Sequence, residues 1–141
     1  MSDTNTPPCP KPGHFSWNEL LTADTKASTE FYGKLFGWKT EPFTPPGAPP
    51  GGPQYLVFKT EPGDMMGAGG MMQTPAPGIP THWLAYVVVD NADQSLAKAV
   101  GLGAKALTPV MAVGGVGRVA VLQDPLGAVF GLHEPAKQPP A

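Results

Sequence analysis

The sequence has little cysteine and little charge. Its one cysteine, Cys9, cannot close an internal disulfide and lacks the partners of a metal knot. Disulfide scaffolds and cysteine-based zinc ribbons are therefore excluded, and Cys9, inside the proline-rich leader PPCPKPG, reads as an exposed tail thiol. Charged residues make up 14% of the chain and the formal net charge is −2, against about 25% charged in a typical domain. Lys and Arg nowhere run together, so the basic stripe that a phosphate backbone demands is missing and nucleic acid is not expected as a partner. No apolar run approaches the ~20 residues of a membrane span. The opening MSDTNTPPCPKPG has no apolar h-region of a secretory signal. Together these absences predict a cytoplasmic protein with no membrane partner. GGVGR, residues 114–118, lacks the lysine and the following helix of a phosphate loop and reads as a hairpin-like turn. No Ser-His-Asp or Cys-His order and no dinucleotide fingerprint stands out.

What the chain has in excess is turn-forming residues, 18 Gly and 19 Pro among 141. A length of this order buries roughly two-thirds of its unfolded surface, enough for a core without staples. The expected organisation is a polar tail over 1–12, one domain over 13–135 and a second tail over 136–141. Within the domain, module one covers 13–73, a linker 74–81, and module two 82–135. Alternation predicts a strand over 14–22 with Phe15, Trp17, Glu19 and Leu21 on one face. Asp24 or Thr25 caps a helix with an apolar stripe of Ala27, Phe31, Tyr32, Leu35 and Phe36, and Gly37 ends it. The Pro/Gly-rich stretch 42–53 cannot be a helix or an inner strand. Strands are expected at 55–60 and 65–72, the glycines of MMGAGGMM letting another backbone or a ligand come close. The second half predicts a strand over 83–89, a helix capped by Asp90 or Asn91 and closed by Gly103, and strands over 104–110, 118–123 and 128–134.

The two halves share an offset. Trp83 follows Trp17 by 66 residues, and the same spacing separates Asp24 from Asp90, Gly37 from Gly103 and Lys39 from Lys105. An offset that holds through strand, cap and helix end predicts two tandem βαβββ modules. The fold class is α+β: a cupped, barrel-like mixed sheet with its helices outside and a small-molecule site in the cup.

The stretches FYGKLFGW (31–38), HWLAYVVVDNAD (82–93) and DPLGAVFGL (124–132) resemble the vicinal oxygen chelate superfamily, the glyoxalase, bleomycin-resistance and extradiol-dioxygenase group, over about residues 12–135. In it, as the resemblance implies, His and Glu or Gln from four strands hold a divalent metal that acts as a Lewis acid. The first ligand of a module commonly lies seven positions before the strand-end Asp, here Trp17 and Trp83. The last-strand carboxylate falls at Gly131, and the MMGAGGMM region offers no ligand either. The pattern predicts no resident metal. A recruited Zn, Ni, Mn or Fe would have to use Glu19 and His133, the candidates of the right strand parity, and two ligands make a poor site.

Glu19, on an inner strand face between Trp17 and Leu21, is the candidate catalytic residue, since desolvation favours its neutral form and poises it as a base. Trp17, Trp83, His133, Met71 and Arg118 are the candidate ligand-binding residues: two indoles walling a pocket for a flat ligand, a pliable methionine, and polar groups able to anchor a ligand or, for Arg118, to pair with Glu19. The expected function is binding of a small apolar or aromatic molecule in the cup without the usual metal. The alternatives are a lyase, isomerase or dioxygenase-type enzyme using Glu19 and a recruited divalent metal, and a purely structural module. The resemblance also implies a homodimer.

Overall fold

The computed structural model describes residues 10–44, 47, 54–64 and 67–136. Cys9, most of the 1–12 tail, nearly all of the 42–53 loop beyond its first residues, Met65, Met66 and all but the first residue of the 136–141 tail lie outside the described residues. Two runs of the same kind follow each other along the chain. The first is β1 (Phe15–Thr22), α1 (Thr25–Phe36), β2 (Lys39–Phe43), β3 (Tyr55–Lys59) and β4 (Gly69–Gln73). The second is β5 (His82–Val88), α2 (Ala92–Gly101), β6 (Lys105–Ala106), β7 (Met111–Val113), β8 (Gly117–Gln123) and β9 (Val129–Pro135). The expected α+β class is observed. The compact units divide inside strands, between Ser16 and Trp17 and between Ala85 and Tyr86.

In the unit spanning residues 17–85, strands run in the order β2-β3-β4-β1. β2–β3 and β3–β4 are antiparallel, and β4–β1 is parallel. Helix α1 begins where Asp24, extended at φ −148°, accepts the Ala27 N–H. It ends where Gly37 turns left-handed at φ 77° and donates to the Gly33 carbonyl, a conformation that only glycine adopts cheaply. The helix lies on the face that carries Leu20, Thr22, Phe58 and Met71. The Thr22 and Ser28 hydroxyls bond at 2.9 Å, and the Tyr32 ring meets Phe58 at 5.7 Å. Leu20, Phe58 and Met71 are all but inaccessible and form the core, with Tyr32, Trp38, Leu56 and Ala68 around them. The expected apolar stripe is only partly used: Tyr32 packs, whereas Phe31, Leu35 and Phe36 are each more than half exposed.

Strand β2 was not expected. It carries Pro42, which has no N–H to donate, but it stands at the sheet edge, the place in a sheet where proline is tolerated. β4 begins only at Gly69, later than the sequence suggests.

In the second unit the order is β5-β9-β8-β6, with β7 also paired to β8. Helix α2 is capped by Asn91, which accepts the Gln94 N–H at 2.9 Å. Its first N–H, that of Ala92, reaches the Glu134 carboxylate at 2.9 Å, so α2 covers the face bearing Arg118, Ala120, Leu122, Leu132 and Glu134. Ala120 and Leu122 are fully buried there.

Candidate functional site

Strand alternation sends Trp17, Glu19 and Leu21 to the face turned away from α1. The same holds for Tyr55, Val57 and Lys59 of β3 and Gly70 and Met72 of β4, by register. Here the chain builds a hydrogen-bonded cluster. The Trp17 indole N–H donates to the Tyr55 phenol oxygen at 2.8 Å, and the phenol stands close enough to Glu19 for its charge to act on it. Glu19 is 7% exposed, one of the few buried polar side chains among the described residues. Burial, and after it the Glu19 charge, pushes the Tyr55 phenol well above its ordinary pKa, with the Trp17 N–H pulling the other way; the phenol keeps its proton.

Gly70 makes the cluster possible. It stands beside Glu19 in the parallel pairing, and a methyl group on it would collide with the Tyr55 phenol. The glycine-rich stretch does admit a close approach, and the visitor is a tyrosine from the neighbouring strand. Phe43 of the edge strand adds a third ring, 6.3 Å from Tyr55 at 73°, and is 37% exposed. Tyr55 and Phe43 were both missed by sequence reasoning. Tyr55 had a usable signal, a glycine on the next strand with a bulky residue in reach. Phe43 had none, because its strand was not recognised.

The other expected site residues lie elsewhere. Trp83 packs on the helix side of the same unit: its N–H donates to the Tyr32 hydroxyl at 3.1 Å and its ring lies 5.6 Å from Tyr32 and 6.2 Å from Phe58. Trp17 and Trp83 therefore do not face each other across a pocket. The cause is a one-residue slip in the repeat. The helix caps are Asp24 and Asn91, 67 residues apart, and the strand residues beside the matched glycines, Glu19 by Gly70 and Tyr86 by Gly131, share that spacing. A slip of one residue sends a strand side chain to the opposite face. Met71 is fully buried in the core and presents nothing to a ligand. Arg118 ion-pairs with Asp93 at 2.6 Å and Glu134 at 3.7 Å on the α2 side, and the Asp93 hydrogen bond raises its pKa.

His133, in the second unit, bonds through Nδ1 to the Ser16 hydroxyl and through Nε2 to the Val116 carbonyl, both at 2.9 Å. A carbonyl can only accept, so Nε2 is the donor to Val116. An open groove of about 360 Å³ lies in this unit, lined by residues including Gly13, Val88, Asn91, Gln94 and Lys98. It contains none of the expected catalytic or ligand-binding residues.

The positions at which the resemblance places the superfamily's metal ligands do not suit a metal. Trp17 and Trp83 have no lone pair to give, and Gly131 has no side chain. The space a side chain would need at Gly131 is filled by Tyr86, and in the glycine-rich stretch that at Gly70 is filled by Tyr55. Among the described residues no three His, Cys, Asp or Glu side chains converge. Among the described residues, those at the expected ligand positions do not fit a bound divalent ion.

Residues 18–133 match the glyoxalase-like domain family, and the chain belongs to it and, with it, to the vicinal oxygen chelate superfamily. CFP32 of Mycobacterium tuberculosis, provisionally named a glyoxylase, is 36% identical over 126 residues, covering 89% of this chain and 46% of that protein. The anthracycline biosynthesis protein DnrV of Streptomyces peucetius is 34% identical over 131 residues, covering 84% and 46%. The chain thus spans about half the length of these relatives. Methylmalonyl-CoA epimerase of Streptomyces coelicolor shares the fold, with a TM-score of 0.58 at 17% identity, covering 90% of this chain and all of that one. No helix among the described residues is long and apolar enough to cross a membrane.

Proposed function

We propose that this glyoxalase-like domain binds a small, flat, apolar or aromatic molecule on the sheet face turned away from α1, without a metal. The observation that carries the reading is the Trp17–Tyr55–Glu19 cluster over Gly70. It places two half-buried rings and a buried carboxylate together, with Phe43 as a further ring beside them. Rings hold a flat ligand by offset stacking or edge contact, and a few fixed polar groups orient it. The likeness to a protein named for anthracycline biosynthesis supports this ligand class. The misfit of the metal positions supports a metal-free site.

Titration with a planar aromatic probe such as anthraquinone-2-sulfonamide, followed by tryptophan fluorescence, tests the proposal. Trp17→Ala is expected to weaken binding about tenfold, the worth of a good ring contact, while Trp83→Phe leaves it unchanged. Equal loss from both variants would move the site off this face. An enzyme of the superfamily's lyase or isomerase kind, with Glu19 as base, is the second reading. Its support is a buried carboxylate beside a phenol, and its signature is turnover that Glu19→Gln abolishes without loss of binding.

A further inference from the structure

We infer that the exposed flank of α1 is a dimerisation surface, on which a second copy of this chain docks its own α1 antiparallel. The starting observation is an apolar row that the fold leaves unused. Ala27, Phe31 and Leu35 recur at four-residue spacing and so line one side of α1. All three are exposed, Phe31 at 58% and Leu35 at 57%, and Phe36 after them at 56%. An amphipathic helix normally turns its apolar side to the core. Here the side against the sheet is held by Ser28, bonded to Thr22, and by Tyr32, packed on Phe58. The Phe31–Leu35 row lies outside that contact.

The occupant is a second copy because the charges beside the row complement themselves. Lys26, Glu30 and Lys34 form the adjacent row, also exposed, with Glu30 and Lys34 ion-paired at 2.7 Å. A twofold contact brings one patch against itself, residue i meeting j and j meeting i. With two α1 helices antiparallel and the axis level with Tyr32, Glu30 of each copy stands opposite Lys34 of the other. The same register sets Phe31 and Leu35 of one copy between those of the other, as interdigitating ridges require. The four charges alternate in sign along one edge of the apolar seam, as flanking charges do in a coiled coil. A parallel pairing would put the two charged rows on opposite edges, where they could not meet. The exposed parts of Phe31, Leu35 and Phe36 amount to roughly 300 Å² per copy, at about 200 Å² for a large apolar side chain. Apolar atoms make up about 65% of a homodimer contact, so the pair would bury roughly 900 Å² in all, the size of a weak, reversible dimer. The contact leaves the Trp17–Tyr55–Glu19 face free, because α1 covers the other face of the sheet.

Sedimentation velocity on the whole chain at low salt, across about 1–500 µM, tests this in the range of a weak pairing. The expected result is a monomer–dimer equilibrium within that range. Phe31→Glu should weaken it at least tenfold, by putting a charge into the seam. Glu30→Lys and Lys34→Glu should each weaken it about tenfold, since symmetry turns two attractive pairs into two repulsive ones at once. Mixed together, these two single variants should pair with each other as tightly as the wild type does with itself, because each supplies the charges the other lacks. The mixture leaves Phe31 unchanged, so the test stands even if Phe31→Glu does not fold. A chain monomeric throughout overturns the inference, and this face then belongs to a different partner. A dimer that Phe31→Glu leaves as tight as before overturns it too, and places the contact elsewhere on the molecule. A dimer weakened in both charge variants and not regained in their mixture overturns the antiparallel register.

Discussion

At one matched position the two units of the chain make different choices. Each places a glycine on its last strand beside a residue of its first strand, and in each a tyrosine ring lies over that glycine. In the second unit the ring belongs to the paired residue itself, Tyr86. In the first the paired residue is Glu19, and the ring is lent by Tyr55 from the strand beyond. The first arrangement keeps a buried carboxylate under a phenol and an indole. The second fills the same place with a ring. The polar chemistry expected of two pseudo-symmetric halves is thus concentrated in one of them, and the second unit's charged groups, Arg118, Asp93 and Glu134, tie a helix to its sheet.

The largest expected effects test how alike the two cores are. Phe58→Ala should cost about 3–5 kcal/mol and Leu122→Ala about 2–5 kcal/mol, because both side chains are wholly buried and leave a cavity. Urea unfolding followed by circular dichroism measures both. A loss below about 1 kcal/mol in either would mean that its core collapses around the gap. Next come the glycines. Gly70→Ala and Gly131→Ala each force a methyl group into a tyrosine ring, and overpacking of this kind costs about 1–3 kcal/mol. The two should then part company: Gly70→Ala displaces Tyr55 from Glu19 and weakens probe binding, whereas Gly131→Ala leaves it unchanged. Equal effects on binding would erase the difference between the halves.

Tyr55→Phe separates the phenol's hydrogen bond from its ring. The ring stays, but the Trp17 N–H loses its acceptor, for a loss of about 1–3 kcal/mol at neutral pH. The pH dependence carries a second sign. In the folded chain the phenol keeps its proton well above its ordinary pKa of 10.0, while the unfolded chain releases it near that value. The unfolded state therefore binds fewer protons as pH rises past about 10, and stability falls. Below that pH this contribution is fully present. The alkaline fall in melting temperature should be shallower in Tyr55→Phe, and identical slopes would mean that the phenol ionises freely in the folded chain.

Much of the fold was legible because it is set by local rules. Helix α1 runs from Thr25 to Phe36 between Asp24 and Gly37, as a side-chain cap and a left-handed glycine dictate. The face of Glu19 follows from alternation alone. What failed was non-local. Trp83 was assigned to the wrong face because identical letters 66 apart suggested a register that the strands and caps, 67 apart, do not keep. β2 stayed hidden because Pro42 argues against a strand unless the strand is known to be an edge. The site was half legible: Glu19 and Trp17 share a face by parity, but only the β3–β4 register brings Tyr55 over Gly70.

The caps offer the smallest effect and the finest comparison. Asp24 and Asn91 do the same work, each accepting an N–H three residues on, at 3.0 and 2.9 Å. Replacing either by Ala should cost about 1 kcal/mol. The crossed exchange is more telling. α1 has no acidic residue in its first turn beyond its cap, while α2 already has Asp93 there. A negative charge at a helix start interacts favourably with the helix dipole, by about 0.3–1 kcal/mol at low salt. Asp24→Asn keeps the hydrogen bond and discards the charge, so α1 should lose a few tenths of a kcal/mol. Asn91→Asp should add less than that, because the new carboxylate stands beside Asp90 and near Asp93, whose repulsion offsets the dipole. Thermal melts at low salt and at 0.5 M salt measure both, and the high-salt pair should show the differences shrink, since salt screens charge but leaves the cap's hydrogen bond in place.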